Sequence, residues 1–217
     1  MDLGDSPAAH PRGSTGPTGP TGPLGALAGR LRALPPSCGP VRLVGVDGHA
    51  GSGKSTFAER LAETLGGAPV VHLDDFASHD ELFCWTDRFR ELALAPLRRG
   101  ERASYGPYDW VRRRFAEEPG ERITVPPAPV VIVEGVGAGR RALRPYLARL
   151  LWMELADRAS WERGQHRDGP DMSTFWDSWL PAEREHFAAD PSRPYAELLV
   201  LQGEEGYEVL PGPVVAT

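Results

Sequence analysis

Lys54 is the only lysine in the chain; the other long basic residues are all arginine. It lies in "VDGHAGSGKST", residues 46–56. An ammonium is a compact point charge with three rotatable donors, whereas a guanidinium is a wide planar fork, so the two suit different sites. Gly48, four further residues, Gly53, Lys54 and Ser55 have the spacing G-x-x-x-x-G-K-[ST] of a phosphate-binding loop. Gly48, Gly51, Ser52 and Gly53 let the backbone curl around phosphate oxygens, and Ser55 and Thr56 open the helix whose positive end faces them. Lys54 is expected to bridge β and γ phosphates, and the Ser55 hydroxyl to ligate Mg²⁺. The rival reading, a glycine-rich turn that merely precedes a helix, leaves the placement of the single lysine unexplained.

Two further groups carry chemistry. "VVHLDDFASHD" (70–80) is an apolar strand ending in Asp74 and Asp75. A carboxylate at the C-terminal end of a parallel strand lies in the crevice where such sheets bind ligands; alternatively, one of the pair caps the next turn. "VVIVEGVGAG" (130–139) leaves a buried run at Glu134. An unpaired charge is costly in a core, so Glu134 is expected to face the metal through water.

The elements that must position these groups follow from periodicity. Strand-length apolar runs occur at 41–47, 68–74, 129–135, 148–155 and 196–201. Helical spacing occurs at 54–65, 86–99, 139–148, 157–166 and 173–188, with a leading helix at 24–34 that stops at Pro35 and Pro36. Runs apolar throughout suit strands covered on both faces, and their alternation with helices predicts an α/β fold with a parallel sheet. "LVLQGEEGYEVL" (199–210) reads as a terminal hairpin around Gly203 to Gly206. Residues 1–23, with "TGPTGPTGP", are too short for a collagen helix and too polar to pack, so a disordered tail is expected there, followed by one domain over 24–217.

Taken in order, "DGHAGSGKST", "LDDF", "PYDW", "IVEG" and the arginine-bearing "RGQHRDG" resemble the uridine kinase and nicotinamide riboside kinase group, which includes phosphoribulokinase and bacterial pantothenate kinase, over about residues 41–201. The resemblance implies a three-layer phosphate-loop NTPase fold with five parallel strands in the order 2-3-1-4-5 and a short lid at about 157–170. It implies ATP as phosphoryl donor, Mg²⁺, and a small molecule bearing the accepting hydroxyl, a nucleoside or related polyol. By motif position Asp74 accepts the proton of the attacking hydroxyl and orients it in line, and Glu134 stands next to Mg²⁺. Arg163 and Arg167, four apart on one helical face, are the lid arginines that neutralise the moving phosphoryl group; read from the residues alone they are also compatible with a solvated face. Tyr108, Trp110 and Arg113 match the segment that contacts a nucleoside base, though aromatics there are equally compatible with rim packing. One departure concerns the aspartate that grips ribose: Cys84 follows Phe83, and Asp87 comes three residues late. Either Asp87 takes that role or the acceptor is not a nucleoside.

Bulk properties narrow the classes. A net charge of -6, without any block of like charge, argues against nucleic acid or an anionic membrane as partner. Cys38 and Cys84 form no CxxC pair, so no disulfide framework or zinc site is expected. No secretory or membrane-spanning pattern is read, and a soluble cytoplasmic protein is expected. The rival from another class is a regulator that binds ATP without transferring phosphate.

Overall fold

The computed structural model describes residues 22–204 and 206–213; the expected tail falls almost wholly outside them. Helix α1 (Pro23–Ala33) starts at a proline, whose missing N–H is no loss in a first turn. Strand β1 (Arg42–Asp47) runs into the phosphate loop, and α2 (Lys54–Thr64) leaves it. After β2 (Val70–His72) the chain turns helical over α3 (Thr86–Phe89), a π-turn at Arg90–Leu94 and α4 (Ala95–Arg98). Four short strands follow: β3 (Ala103–Tyr105), β4 (Tyr108–Asp109), β5 (Arg114–Phe115) and β6 (Ile123–Val125). The main sheet resumes with β7 (Val130–Glu134) and β8 (Leu147–Met153). Helices α5 (Asp157–Asp168) and α6 (Ser173–Ala189) precede β9 (Leu198–Gly203) and β10 (Gly206–Pro211).

The sheet order is β10-β9-β8-β1-β7-β2, with the five strands from β9 to β2 parallel. Those five stand in the expected order. The sheet has six strands rather than five, because β10 folds back antiparallel on β9 and pairs Gly206 with Gly203 at the hairpin turn. Alternation along β7 shows why the strands are apolar throughout. Val130 and Ile132 pack with Leu27, Leu31, Phe57 and Leu61 from α1 and α2, while Val131 and Val133 pack with Phe89, Leu97 and Tyr105 on the other side. The molecule is therefore layered as helix, sheet and helix, and the charged strand ends are displaced to one edge of the core.

One expected helix is absent. Residues 139–148 form turns, a 3-10 turn at Arg144–Tyr146 and the start of β8, where Leu147 already pairs with Leu43. The Gly139 carbonyl, which a helix would use, accepts instead from the Arg144 guanidinium at 2.6 Å, and the end of the span is taken by the sheet. The N–H groups of Gly137 and Gly139 donate to Asp47 at 2.9 and 2.8 Å. The pairs β3 with β6 and β4 with β5 are small antiparallel sheets that the periodicity did not reveal; two- and three-residue strands carry too few alternations to read.

Candidate active site

The phosphate loop is held from below by a buried carboxylate. Asp47 accepts from the Gly48 N–H at 2.7 Å as well as from Gly137 and Gly139, so the end of β1 and the loop after β7 share one anchor. From above the loop is covered by α5. A β-carbon on Gly51, whose φ is +82°, would lie 2.0 Å from the Ser160 carbonyl oxygen, so only glycine admits the helix this closely. In the loop itself the Lys54 ammonium donates to the His49 carbonyl at 2.9 Å, and the buried Ser52 hydroxyl has no partner among the described residues.

Two adjoining cavities meet here. The first, about 120 Å³, is lined by Gly51, Gly53, Lys54, Ser55 and Thr56 together with Asp74, Glu134, Val136, Ala50, Arg167 and Trp179. The second, about 310 Å³, is largely aromatic: His79, Trp110, Phe175, Trp176 and Trp179 surround it, with Met172 and Asp168 at its side. Ala50, Asp74, Arg167 and Trp179 line both. The first cavity has the features a phosphate group requires: the N-terminal end of α2, an ammonium, hydroxyls and little apolar wall. Its Ser55 hydroxyl and Glu134 carboxylate are hard oxygen donors of the kind Mg²⁺ takes. Glu134 is buried, and one of its oxygens faces His72 Nδ1 at 2.5 Å, which leaves the other for a cation.

The carboxylates here are tuned by their surroundings. Water reaches Asp74 through the cleft mouth, yet protein encloses its other sides. That enclosure first, and the Glu134 charge second, raise the Asp74 carboxyl above the usual range, against the opposing pull of Lys54, His72 and Arg167. The His72 imidazole is raised in turn, chiefly by its hydrogen bond to Glu134. In the aromatic wall, Tyr108 is buried and its hydroxyl lies 3.0 Å from His79 Nδ1, while Trp110 packs against both rings.

The structure thus brings together Lys54, Ser55, Asp74, Glu134 and Arg167, which are distant in sequence, and places Trp110 in the adjoining wall. Tyr108 supports that wall from behind through His79. Gly48 and Ser52 belong to the loop but line neither cavity; a β-carbon on Gly48 would lie 2.8 Å from the Ser52 hydroxyl. Three further expected residues stand elsewhere. The Asp87 side chain is exposed on α3, 4.0 Å from Arg90, and lines a separate groove with Tyr146 and Arg98. Arg163 lies beside the loop near Gly53 and donates to Gln202 at 3.3 Å, outside both cavities. Arg113 is exposed at the β4–β5 turn with φ of +56°, and reaches the site only through its charge on His79, whose imidazole is held low first by burial and then by Arg113.

Sequence reasoning passed over Asp47, His79, Glu183 and the α6 aromatics. Asp47 satisfied the same criterion as Glu134, a carboxylate ending a buried strand. Glu183 was visible as the one acidic residue continuing the Trp176 and Trp179 face of α6.

No family model matches the chain. Among curated proteins it is similar to a uridine kinase of Borrelia duttonii (strain Ly), 21% identical over 183 residues that span 75% of this chain and 87% of the relative. It is also similar to the inorganic pyrophosphatase TTM2 of Arabidopsis thaliana, 31% identical over 114 residues; the match covers 48% of this chain but only 16% of that protein. Among solved structures, a possible uridine kinase from Bacillus stearothermophilus superposes with a TM-score of 0.58 at 16% identity, covering 81% of this chain and 96% of that one. The chain therefore has the fold of the phosphate-loop uridine kinases.

Proposed function

We propose that the chain is an ATP- and Mg²⁺-dependent small-molecule kinase that transfers the γ-phosphoryl group to a hydroxyl of a nucleoside or related polyol. The observation that carries this reading is the boundary between the two cavities. A polar cavity with a phosphate loop opens onto an aromatic one, and the groups they share include a carboxylate and a guanidinium, Asp74 and Arg167. Phosphoryl transfer needs those two charges at the point where donor and acceptor meet.

In this reading the phosphate loop and Lys54 hold the β and γ phosphates, and Ser55 and Glu134 hold Mg²⁺, which neutralises charge on the phosphates when bound. Asp74 accepts the proton from the acceptor hydroxyl. Its raised pKa makes it a better base than an ordinary aspartate. Arg167 stabilises charge on the phosphoryl group as it moves, and α5 with α6 excludes water, the competing acceptor. The aromatic cavity suits a flat or apolar-faced acceptor body. Asp87 takes no part, and a ribose, if one binds, finds its partners elsewhere.

The test is to incubate purified protein with Mg·ATP and a pool of hydroxylated metabolites and to identify any phosphorylated product. Asp74→Asn is expected to lower the transfer rate by about 10²- to 10⁴-fold with Mg·ATP binding retained. Unchanged turnover in that variant would remove Asp74 as the base. Tight Mg·ATP binding with only trace hydrolysis and no product from any acceptor would favour the regulator instead.

A further inference from the structure

Glu183, like Asp47, is fully enclosed next to the site; its side chain has 0% exposure. A buried carboxylate is costly unless its oxygens are fully hydrogen-bonded, and an apolar residue packs into such a place with less penalty. Among the described residues, no arginine or lysine is bonded to Glu183. Four N–H groups from three elements converge on it instead. Oε1 accepts from His49 Nδ1 at 2.8 Å and from the Trp161 indole at 3.1 Å. Oε2 accepts from the Trp179 indole at 2.5 Å, and the Ala50 N–H lies 3.3 Å from both oxygens. His49 must therefore carry its ring hydrogen on Nδ1. Burial alone raises this carboxyl, but the bonds from His49 and Trp161, the Lys54 charge and the Trp179 bond outweigh it, so the group is held ionised.

The partners are not arbitrary. Four residues line both cavities, and two of them, Asp74 and Arg167, carry the charges used above. The other two are Ala50, in the phosphate loop, and Trp179, in the aromatic wall. Both are gripped by Glu183. The carboxylate also takes the Trp161 indole from α5, the helix that closes over Gly51 and, at Gly164, meets Trp176.

We propose that Glu183 is a positioning residue that joins the phosphate loop to the acceptor wall, so that filling the loop is felt at Trp179 and through it in the aromatic cavity. The proposal rests on the kinase reading for the identity of the two cavities. Each carboxylate oxygen pairs an indole donor with one from the loop, so a shift of the His49–Ala50 backbone on phosphate binding carries both indoles with it. A glutamine at 183 breaks the arrangement in either amide orientation, because its NH₂ must face an indole N–H, which can only donate. Glu183 touches no reacting atom; it acts by where it holds Trp179.

The experiment uses the full chain labelled with 5-fluorotryptophan, whose six fluorine signals are assigned by single Trp→Phe substitutions. Mg·ATP is titrated while its binding is measured separately by calorimetry. In the unaltered protein the Trp179 and Trp161 signals are expected to move on binding. Trp179 lines the phosphate cavity and feels the ligand directly, so the diagnostic signal is that of Trp161, which lines neither cavity and meets the loop through Glu183. In Glu183→Gln, Mg·ATP still binds, no more than about tenfold more weakly, but the Trp161 signal stays at its ligand-free position. Movement of Trp161 by the full amount in a Glu183→Gln protein that binds Mg·ATP overturns the proposal, as does binding to the unaltered protein that leaves Trp161 unmoved. Failure of the unaltered protein to bind Mg·ATP at all overturns the kinase reading itself, which is a separate result. If Glu183→Gln does not fold, Glu183→Asp keeps the charge but withdraws it by one methylene; the same loss of the Trp161 response is expected, and a retained response overturns the proposal.

Discussion

Asp75 neighbours the proposed base but lines neither cavity, and the structure assigns it a measurable cost. Its carboxyl is enclosed by protein, and that enclosure is the main cause that raises its pKa from the ordinary 3.8 to about 6; His72 and the Tyr105 hydroxyl, which donates to it at 3.3 Å, offset only part. Below 3.8 the group is protonated in both folded and unfolded chains and contributes nothing. Between 3.8 and about 6 the unfolded chain gives up its proton first, so stability declines as pH rises, and above that the loss is constant. The gap between those two values, at about 1.36 kcal/mol per pH unit, makes the ionised form cost the folded state roughly 3 kcal/mol at neutral pH. Asp75→Asn keeps the shape and an oxygen to accept from Tyr105, but has no charge to desolvate. Urea unfolding followed across a pH series from acid to neutral is therefore expected to show no difference between variant and parent at the acid end. The gain in the variant grows through the window to about 3 kcal/mol above it. A gain of equal size at every pH, or a variant less stable than its parent at neutral pH, would falsify the account of Asp75 as a charge held against its environment.

Lys54→Ala is expected to weaken Mg·ATP binding at least tenfold, about 1.4 kcal/mol, as a charge-assisted contact to phosphate is lost; calorimetry measures it. Gly51→Ala places a β-carbon 2.0 Å from the Ser160 carbonyl in a left-handed backbone. The backbone conformation alone costs about 1–2 kcal/mol, so the melting temperature should fall by several degrees, at roughly 2–4 °C per kcal/mol for a chain of this size. Because the raised Asp74 carboxyl must be ionised to act, kcat/KM is expected to fall on the acid side from a pH above the ordinary aspartate range; a profile flat to the usual carboxylate pKa would contradict the role given to Asp74. Trp110→Ala should raise the acceptor KM by about tenfold, equivalent to about one aromatic contact, and leave Mg·ATP affinity unchanged; steady-state kinetics against each substrate separates the two.

What could be read from the chain in one dimension was whatever is local. The phosphate loop depends on glycines, a lysine and a serine adjacent in sequence, with a strand before and a helix after, so their spacing carries the geometry. Asp74 and Glu134 were legible because each ends an apolar strand, and parallel strands deliver their C-terminal ends to one edge. The order of the five parallel strands came with the family resemblance. Periodicity misled at 139–148, where apolar spacing suited a helix but the Arg144 guanidinium takes the Gly139 carbonyl and Leu147 already pairs with Leu43 in the sheet. It was also silent on the side of α3 that Asp87 occupies, since the turn between β2 and α3 sets that direction and its angle is not encoded in residue spacing.

The acceptor side was decided by tertiary structure alone. Trp110, His79 and the α6 aromatics belong to segments that meet only because α6 packs back across the cleft, and a stripe of aromatics at helical spacing reads as core until its neighbours are known. Glu183 is the sharpest case. In sequence it is one of thirty acidic residues; in the fold it is the point where two loop donors and two indoles meet, because a buried carboxylate must gather hydrogen bonds from whichever elements surround it. The sequence by itself determined where a loop of phosphate-binding type lies. Only the packing of α5 and α6 against the loop decided what else is held next to it.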